Sequence, residues 1–244
     1  MICKSEGIVL RTLRHQDTNL IAVVYTREYG LQRFMLKAFR TARARSRYSY
    51  FQPLSIVDLV FTHREHRDLQ QVTESRLAVP MLDIQVHPVK LSLGLTVLEV
   101  FADTVQETEP QAELYDFLKG VITSLDLAES RMVQIFIWYL LHLTRFLGFL
   151  PHDMDPGARF ASFEVQSGLF RPSTHTTDEA AGVLRRMLYS KLEPMPAPDG
   201  CQQVMFGAET KRLVIRTLFD YYRHHIEGFR YPQTIKVFAE VFGT

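Results

Sequence analysis

Residues 29–57 hold the side chains of this sequence that are best suited to bind a polyanion. The segment contains six cations and no carboxylate, and aromatic residues are spaced among them. Arginine can bind phosphates through its planar fork, and aromatic rings can stack on bases. The segment therefore predicts a nucleic-acid surface, and a solvated basic loop without a ligand is the alternative. The predicted contact residues are Arg33, Lys37, Arg40, Arg43, Arg45, Arg47, Tyr48 and Tyr50.

Some of the aromatic residues in this segment must fill a hydrophobic core instead. Alternation along the neighbouring sequence places Phe34 and Phe51 in the core. Tyr48 and Tyr50 fit the core or the surface equally well. The basic segment therefore has to be placed on a folded framework before its contacts can be assigned.

Five segments in the first 80 residues have the composition of β-strands. They are rich in β-branched and aromatic residues and are bounded by turn residues. Five strands without a convincing long helix predict a small closed barrel, and the five-stranded OB-fold is the common nucleic-acid-binding barrel of this size. An SH3-like barrel fits the pattern almost as well. The predicted strands are residues 7–13, 20–26, 31–39, 53–63 and 68–77.

The first predicted strand carries two further cations. Strict alternation places Val9 and Arg11 on one face of this strand. Arg11 and Arg14, near its end, either extend the basic surface or lie on a solvated edge.

Helical periodicity replaces the strand pattern after about residue 80. The sequence predicts an α+β multidomain protein, with a five-stranded OB-fold barrel over residues 1–80 and an all-helical domain over residues 81–244. A small β excursion, irregular or a hairpin, is expected at about residues 152–176. Thr177 is the predicted N-cap of the helix that follows it. The predicted helices are residues 87–106, 113–127, 130–149, 177–190, 208–225 and 232–241.

Charge is distributed unevenly between the two predicted domains. Residues 1–80 contain 13 Lys+Arg against 7 Asp+Glu, whereas residues 81–244 contain 15 against 20, so the overall charge of +1 conceals a basic first part. Only two cysteines are present, which predicts neither a disulfide framework nor a cysteine-rich zinc site. No apolar signal core or membrane span is evident, so a reducing cytoplasm is the expected compartment.

No set of residues in the sequence has the pattern of a catalytic centre. Neither a nucleophile elbow nor a P-loop is present. His63 and His66 are better explained as surface histidines than as metal ligands. His152, Asp153 and the nearby Asp155 resemble an acidic metal loop, but they follow a helix end, where turn and capping roles are usual. We therefore predict no catalytic residues, no metal and no cofactor.

Several phrases in the sequence, taken in order, resemble the RecO family of bacterial recombination mediators. No single phrase is diagnostic, but their order and spacing together cover essentially the whole chain. The phrases are Gly7-Ile-Val-Leu-Arg-Thr, Asp17-Thr-Asn-Leu, Tyr25-Thr-Arg-Glu-Tyr-Gly, Phe51-Gln-Pro-Leu-Ser, Leu147-Gly-Phe-Leu-Pro, Gly168-Leu-Phe and Leu218-Phe-Asp-Tyr-Tyr-Arg-His-His-Ile-Glu-Gly-Phe.

The resemblance implies an OB-fold followed by a helical domain, and a mediator role rather than a reaction. RecO-like proteins bind single- and double-stranded DNA, anneal complementary strands, act on strands coated with single-stranded-DNA-binding protein (SSB) and, with RecR, help RecA to load. A nucleoid-associated location in the bacterial cytoplasm follows. The acidic SSB tail needs an apolar groove rimmed by cations. Candidate cations in the helical domain are Arg131, Arg145, Lys211, Arg212 and Arg216.

One departure from the family concerns zinc. Some members carry a four-cysteine zinc site after the Leu-Gly-aromatic-x-Pro phrase, but residues 152–177 contain no cysteine here. We therefore expect aromatic and aliphatic packing to hold this segment, through Phe160, Phe163, Leu169 and Phe170.

Three other functions compete with the mediator role. An OB-fold RNA-binding factor would share the barrel and the basic segment but would not anneal DNA. A hydrolase would use His152, Asp153 and Asp155 with a metal. A structural adaptor would use the basic segment to bind an acidic protein.

Overall fold

The computed structural model describes residues 1–15, 19–37, 49–64, 67–105, 109–173, 177–190 and 207–234. The chain forms two compact units, Met1–Asp126 and Leu127–Thr244. None of the helices in the described ranges is both long and apolar enough to cross a membrane.

The first unit contains a closed five-stranded barrel, which confirms the predicted OB-like fold. The strands lie in the order β1-β2-β3-β5-β4. All neighbouring strands are antiparallel except β3 and β5, which close the barrel through a short parallel pairing of Phe34 with Gln70 and Met35 with Gln71. The strands are β1 Ile2–His15, β2 Asn19–Thr26, β3 Gly30–Lys37, β4 Ile56–Thr62 and β5 Gln70–Val79.

The barrel interior is filled mainly by aromatic and β-branched side chains. Phe34 and Phe61 meet edge to face with ring centroids 5.0 Å apart, and both are fully buried. Phe51 is also buried, so the prediction that Phe34 and Phe51 belong to the core is confirmed. Val24 and Val57 complete the centre of this cluster.

The predicted alternation in β1 is wrong at one point. The register shifts between Val9 and Arg11, so that Val9 pairs with Val24 while Arg11 pairs with Val23. Leu10 is the extra residue of this β-bulge. Val9 therefore points into the barrel and Arg11 points outward, so the two residues do not share a face.

Two helices cover part of the outer surface of the barrel, α1 (Pro88–Thr104) and α2 (Ala112–Leu127). Tyr25 of β2 packs against Phe101 and Tyr115, with centroid distances of 4.9 and 6.4 Å. The hydroxyl of Tyr115 donates to Glu6. Burial and the neighbouring carboxylate raise the pKa of Tyr115, so its hydroxyl remains a donor. Strand β2 is therefore buried on both faces along this part.

The connection between the barrel and α1 is fixed by a buried carboxylate. Asp126 accepts hydrogen bonds from the backbone amides of residues 82, 83 and 84. Lys90, which is 4% exposed, donates to the carbonyl of Asp126 at 2.7 Å and to the carboxylate of Asp83 at 2.5 Å. The hydrogen bond from Lys90 lowers the pKa of Asp83. These contacts join the connection to the end of α2.

The second unit packs three helices with a small sheet. The helices are α3 (Met132–Phe146), α4 (Glu179–Leu188) and α5 (Ala208–His225), and α5 has the predicted bounds. Asp178, rather than the predicted Thr177, is the N-cap of α4, because its carboxylate accepts from the amide of Ala180. Most of the predicted helix 232–241 lies outside the described residues.

The sheet of the second unit has the order β6-β8-β7. Phe163 and Phe170 are buried, with ring centroids 4.8 Å apart, as the packing prediction requires. Phe160 and Leu169 are half-buried. The strands are β6 His152–Asp153, β7 Ala161–Glu164 and β8 Leu169–Pro172.

An arginine that sequence reasoning missed ties this sheet to α4. Arg185 donates to the carboxylate of Asp153 at 2.6 Å and to the carbonyl oxygens of Asp155 and Ala158. The side chain of Asp153 is 3% exposed and that of Arg185 is 15% exposed. Tyr189 also donates to Asp153 at 3.2 Å. The loop after β6 is thus held by a buried ion pair and two carbonyl contacts.

We predict that Arg185→Met lowers the free energy of unfolding by about 3–5 kcal/mol, because it leaves the Asp153 carboxylate buried without a cation. Urea unfolding measures the effect, with Arg186→Met as the matched control, since Arg186 is exposed and its bond among the described residues is to the carbonyl of Gly182. Adding Asp153→Asn to Arg185→Met should restore part of the loss. Equal midpoints for the two single arginine variants would contradict the assignment.

The lowered pKa of Asp83 predicts a dependence of stability on pH. Above the pKa of an aspartate in the unfolded chain, about 4, the ionised carboxylate of Asp83 stabilises the folded state. This contribution is lost as the pH falls through the lower pKa that Asp83 has in the folded state. The difference in urea midpoint between the wild type and Asp83→Asn should therefore be constant near neutral pH and shrink in acid. A difference that grows in acid would overturn the prediction.

Candidate nucleic-acid interface

The outer face of β1, β2 and β3 carries two arginines in one row. Arg11 pairs with Val23 on β2, and Val23 pairs with Arg33 on β3. Since neighbouring strands lie about 4.8 Å apart, the Cα atoms of Arg11 and Arg33 are about 10 Å apart on the same face. Tyr25, two residues from Val23, is covered by α1 and α2, whereas both arginines are exposed. The part of this face that α1 and α2 leave uncovered thus begins at the row of Arg11 and Arg33, and this part is the open face.

In the described part of the chain the two arginines have no carboxylate partner, unlike Arg27 and Arg76 of the same barrel. Among the described residues neither Arg11 nor Arg33 forms an ion pair, whereas Arg76 bonds Asp58 at 2.9 Å. Both guanidinium groups therefore keep their donors available. Planar guanidinium groups suit the bidentate binding of phosphate.

Arg14 lies on the other face of β1. It pairs with Leu20, whose side chain packs against the barrel core. Arg14 is exposed, so it lies near the rim of the barrel rather than beside Arg11. The structure therefore brings together Arg11 and Arg33, but not Arg14, on the open face.

The arginine-rich segment, residues 38–48, is joined to the barrel at two points that lie near the same half of β1. Lys37, the last residue of β3, pairs with Asn19 at the start of β2. On the return side, the carbonyl of Phe51 accepts a hydrogen bond from the hydroxyl of Thr12 at 2.6 Å. Both anchors therefore lie beside residues 11–15. Five predicted contacts lie outside the described residues: Arg40, Arg43, Arg45, Arg47 and Tyr48.

The remaining predicted stacking residue, Tyr50, sits at the return anchor. A 3-10 turn spans Ser49–Phe51, and Tyr50 is half-buried against the barrel core. Its ring therefore contributes to packing and has only one part accessible.

An apolar row that sequence reasoning missed follows the arginine row. Leu13 pairs with Ile21, Ile21 with Met35, and Met35 with Gln71 of β5. Leu13 is 49% exposed, Ile21 and Met35 are half-buried, and Gln71 is exposed. A cleft of about 370 Å³ adjoins the end of the row and is lined by Met35, Arg67, Asp68, Leu69, Gln70 and Gln71. Sequence reasoning missed this row because its residues come from four strands and become neighbours only through the strand register.

The first half of β1, together with β4 and β5, has the opposite charge. A groove of about 540 Å³ there contains four carboxylates, those of Glu6, Glu28, Asp58 and Glu74. The cations among its described lining residues are Lys4 and Arg76, and Lys119 of α2 also bonds Glu6. The surface of the barrel is therefore polarised, with the unpaired arginines away from the acidic groove.

The cations proposed for an SSB tail are dispersed over the second unit. Arg131 is the N-cap of α3 and Arg145 lies in its last turn, about 21 Å apart along the axis at 1.5 Å per residue. Arg212 and Arg216 are exposed on α5, one turn apart, and Lys211 is half-buried. Arg212 and Arg216, on one face of α5, are close enough to contact one small acidic ligand together.

The residues considered for catalysis have structural partners. Asp153 is bound by Arg185 and Tyr189, and Asp155 accepts from the amide of Gly157 within a turn. Within the described ranges, no group of three or more His, Cys, Asp or Glu side chains could hold a metal ion. The segment from 152 to 173 therefore does not fit a zinc site, since it also lacks cysteine.

Comparison with known proteins extends over nearly the whole chain. The family model described as Recombination protein O N terminal matches residues 1–81, and the model described as Recombination protein O C terminal matches residues 86–234. Three relatives are each named DNA repair protein RecO. The relative from Flavobacterium johnsoniae is 28% identical, that from Christiangramia forsetii 26% and that from Flavobacterium psychrophilum 24%. The alignments cover 99–100% of this chain and 100% of each relative. The chain belongs to the RecO family.

Proposed function

We propose that this chain is a recombination mediator in DNA repair. It binds single- and double-stranded DNA through the open face of its barrel and anneals complementary strands. With RecR, it helps to replace SSB by RecA. This role consists of binding and annealing rather than a chemical reaction, in keeping with the structural partners of Asp153 and Asp155.

The observation that carries this proposal is the pair of unpaired arginines at the base of the arginine-rich segment. Arg11 and Arg33 share an exposed row, and the segment is anchored beside them at Lys37 and Phe51. Four further arginines enter between the anchors. Both ends of the segment therefore lie on the same side of the barrel as Arg11 and Arg33.

Annealing requires two strands to approach each other against phosphate repulsion. Arginines that neutralise the backbone reduce this repulsion and leave base edges free for pairing. Binding of this kind depends strongly on salt and weakly on sequence. The groove around Glu28 and Glu74 has more carboxylates than cations among its described lining residues, so it suits a phosphate chain less well than the arginine face does.

The partner contacts form the second part of the proposal. The second unit would bind the acidic SSB tail, and Arg212 with Arg216 is the favoured pair of cations because the two lie one turn apart and exposed. Contacts of this kind recruit the protein to coated strands, where RecR and then RecA act.

We predict that Arg11→Gln/Arg33→Gln weakens binding to single-stranded DNA and flattens its salt dependence. Each lost phosphate contact changes the slope of log affinity against log salt by about 0.7, so the double variant should lose about 1.4. Fluorescence anisotropy with a labelled oligonucleotide measures this slope. Arg76→Gln is the control, since Arg76 pairs with Asp58 away from the open face, and it should keep the wild-type slope. An unchanged slope in the double variant would remove the open face from the DNA site.

We also predict that Arg43→Glu/Arg45→Glu/Arg47→Glu abolishes annealing of complementary strands precoated with SSB, because three charges of the arginine-rich segment are reversed. Labelled strands at low and moderate salt report the rate of annealing.

The variant Arg212→Glu/Arg216→Glu should anneal bare strands normally and lose only the annealing of strands coated with SSB.

Three outcomes of the annealing assay would count against these assignments. A wild-type protein that fails to anneal DNA but binds RNA would favour an RNA-binding factor. A triple variant that anneals normally would remove the arginine-rich segment from the mechanism. An α5 variant that loses annealing of bare strands would place DNA, rather than the SSB tail, on α5.

A further inference from the structure

The open face of the barrel carries aliphatic side chains beside the two arginines. Of the two residues predicted to stack, Tyr50 is half-buried against the core and Tyr48 lies outside the described residues. Leu13, Ile21 and Met35 lie side by side on this face, next to the row of Arg11 and Arg33. Leu13 stays 49% exposed beside two arginines that form no ion pair with the described residues.

The row ends in a cleft whose wall is held rigidly. Gln70 is 4% exposed, and its side-chain amide bonds the amide and carbonyl of Arg64 and the carbonyl of Arg67. Leu69 and Met35 supply apolar lining, and the next residue, Gln71, is exposed, with a side chain that forms no hydrogen bond with the described residues. The cleft therefore combines an apolar surface with the available amide of Gln71, and Arg67 and Asp68 also line it.

We propose that Leu13, Ile21, Met35 and the adjoining cleft bind an unpaired nucleobase of a strand whose phosphates contact Arg11 and Arg33. This inference rests on the proposed DNA-binding function and assigns the base a site within it. An unstacked base has an apolar face that gains from leaving water, and methionine sulfur is polarisable enough to contact a ring well. The amide of Gln71 can both donate and accept, so it can bond the edge of any base.

The charges around the row identify the occupant. An apolar protein segment would also cover Leu13 and Met35, but two unpaired arginines beside the row favour a ligand that carries negative charge at regular intervals next to apolar faces. Single-stranded nucleic acid has this arrangement. Duplex DNA keeps its base faces stacked, so it can use the arginines but not the row. One held base fixes the position of the strand while the remaining bases stay free to pair.

The test compares two oligomers of equal length and charge, oligothymidylate and an abasic deoxyribose-phosphate chain. Anisotropy of the labelled oligomers gives both affinities for the full-length protein at one salt concentration. We expect the wild type to bind oligothymidylate about tenfold more tightly, the difference typical of one base contact. Leu13→Ser should remove most of this preference and leave the affinity for the abasic chain unchanged, and Gln71→Ala should reduce the preference further in the double variant.

Two controls separate the row from the arginines and from folding. Arg11→Gln/Arg33→Gln should lower the affinity for both oligomers by the same factor. Leu77→Ser replaces a leucine that is 42% exposed on β5, and it should keep the wild-type preference. Leu13 is sufficiently exposed for the serine variant to fold, which the urea midpoint verifies.

The outcomes of this test are distinct from those of the DNA-binding proposal. Equal wild-type affinities for the two oligomers would overturn the base site while leaving phosphate binding intact. If Leu13→Ser still binds oligothymidylate more tightly than the abasic chain, the base binds elsewhere on the protein. Failure of both oligomers to bind would overturn the base site together with the DNA-binding proposal.

Discussion

One inserted residue in β1 determines which side chains the barrel presents to solvent. Up to Val9, the odd-numbered residues of β1 point inward, whereas beyond Leu10 the inward position passes to Thr12. Without the bulge, Arg11 would point into the hydrophobic core, where an unpaired charge is very costly. The bulge also lies where β1 leaves β4: the amide of Val9 bonds the carbonyl of Ser55, and the carbonyl of Val9 accepts from Leu54. The bulge at Leu10 thus directs Arg11 outward, and it lies next to the residue, Val9, to which the returning chain at Leu54 and Ser55 bonds.

Periodicity allowed most of the architecture to be predicted from the sequence. Five strands, a following helical region and the bounds of α5 are set by local alternation and by apolar spacing of 3.6 residues, which the sequence displays directly. The N-cap of α4 was misplaced by one residue because Thr177 and Asp178 are both good caps and only geometry selects between them. The division at residues 80/81 remains a prediction. In the folded chain, α1 and most of α2 belong to the same compact unit as the barrel.

The candidate site was less accessible to sequence reasoning, because its parts meet through register rather than through spacing. Leu13, Ile21, Met35 and Gln71 come from four strands, and no local pattern joins them. Arg185 escaped notice for a different reason. An arginine on a short amphipathic helix usually faces water, and nothing in the neighbouring sequence indicates that Asp153 is buried beneath it. Contacts that depend on long-range placement of a polar side chain leave no periodic signal.

The contacts of Arg185 also explain how the loop after β6 is ordered without cysteine ligands. A metal would gather four side chains around one point, whereas the guanidinium of Arg185 gathers a carboxylate and two carbonyl oxygens around its planar fork. Phe163 and Phe170 supply the apolar side of the same loop, and Tyr189 adds a second donor to Asp153. This arrangement depends on neither a metal nor a thiol, because side chains and backbone carbonyls of the protein supply all of its contacts.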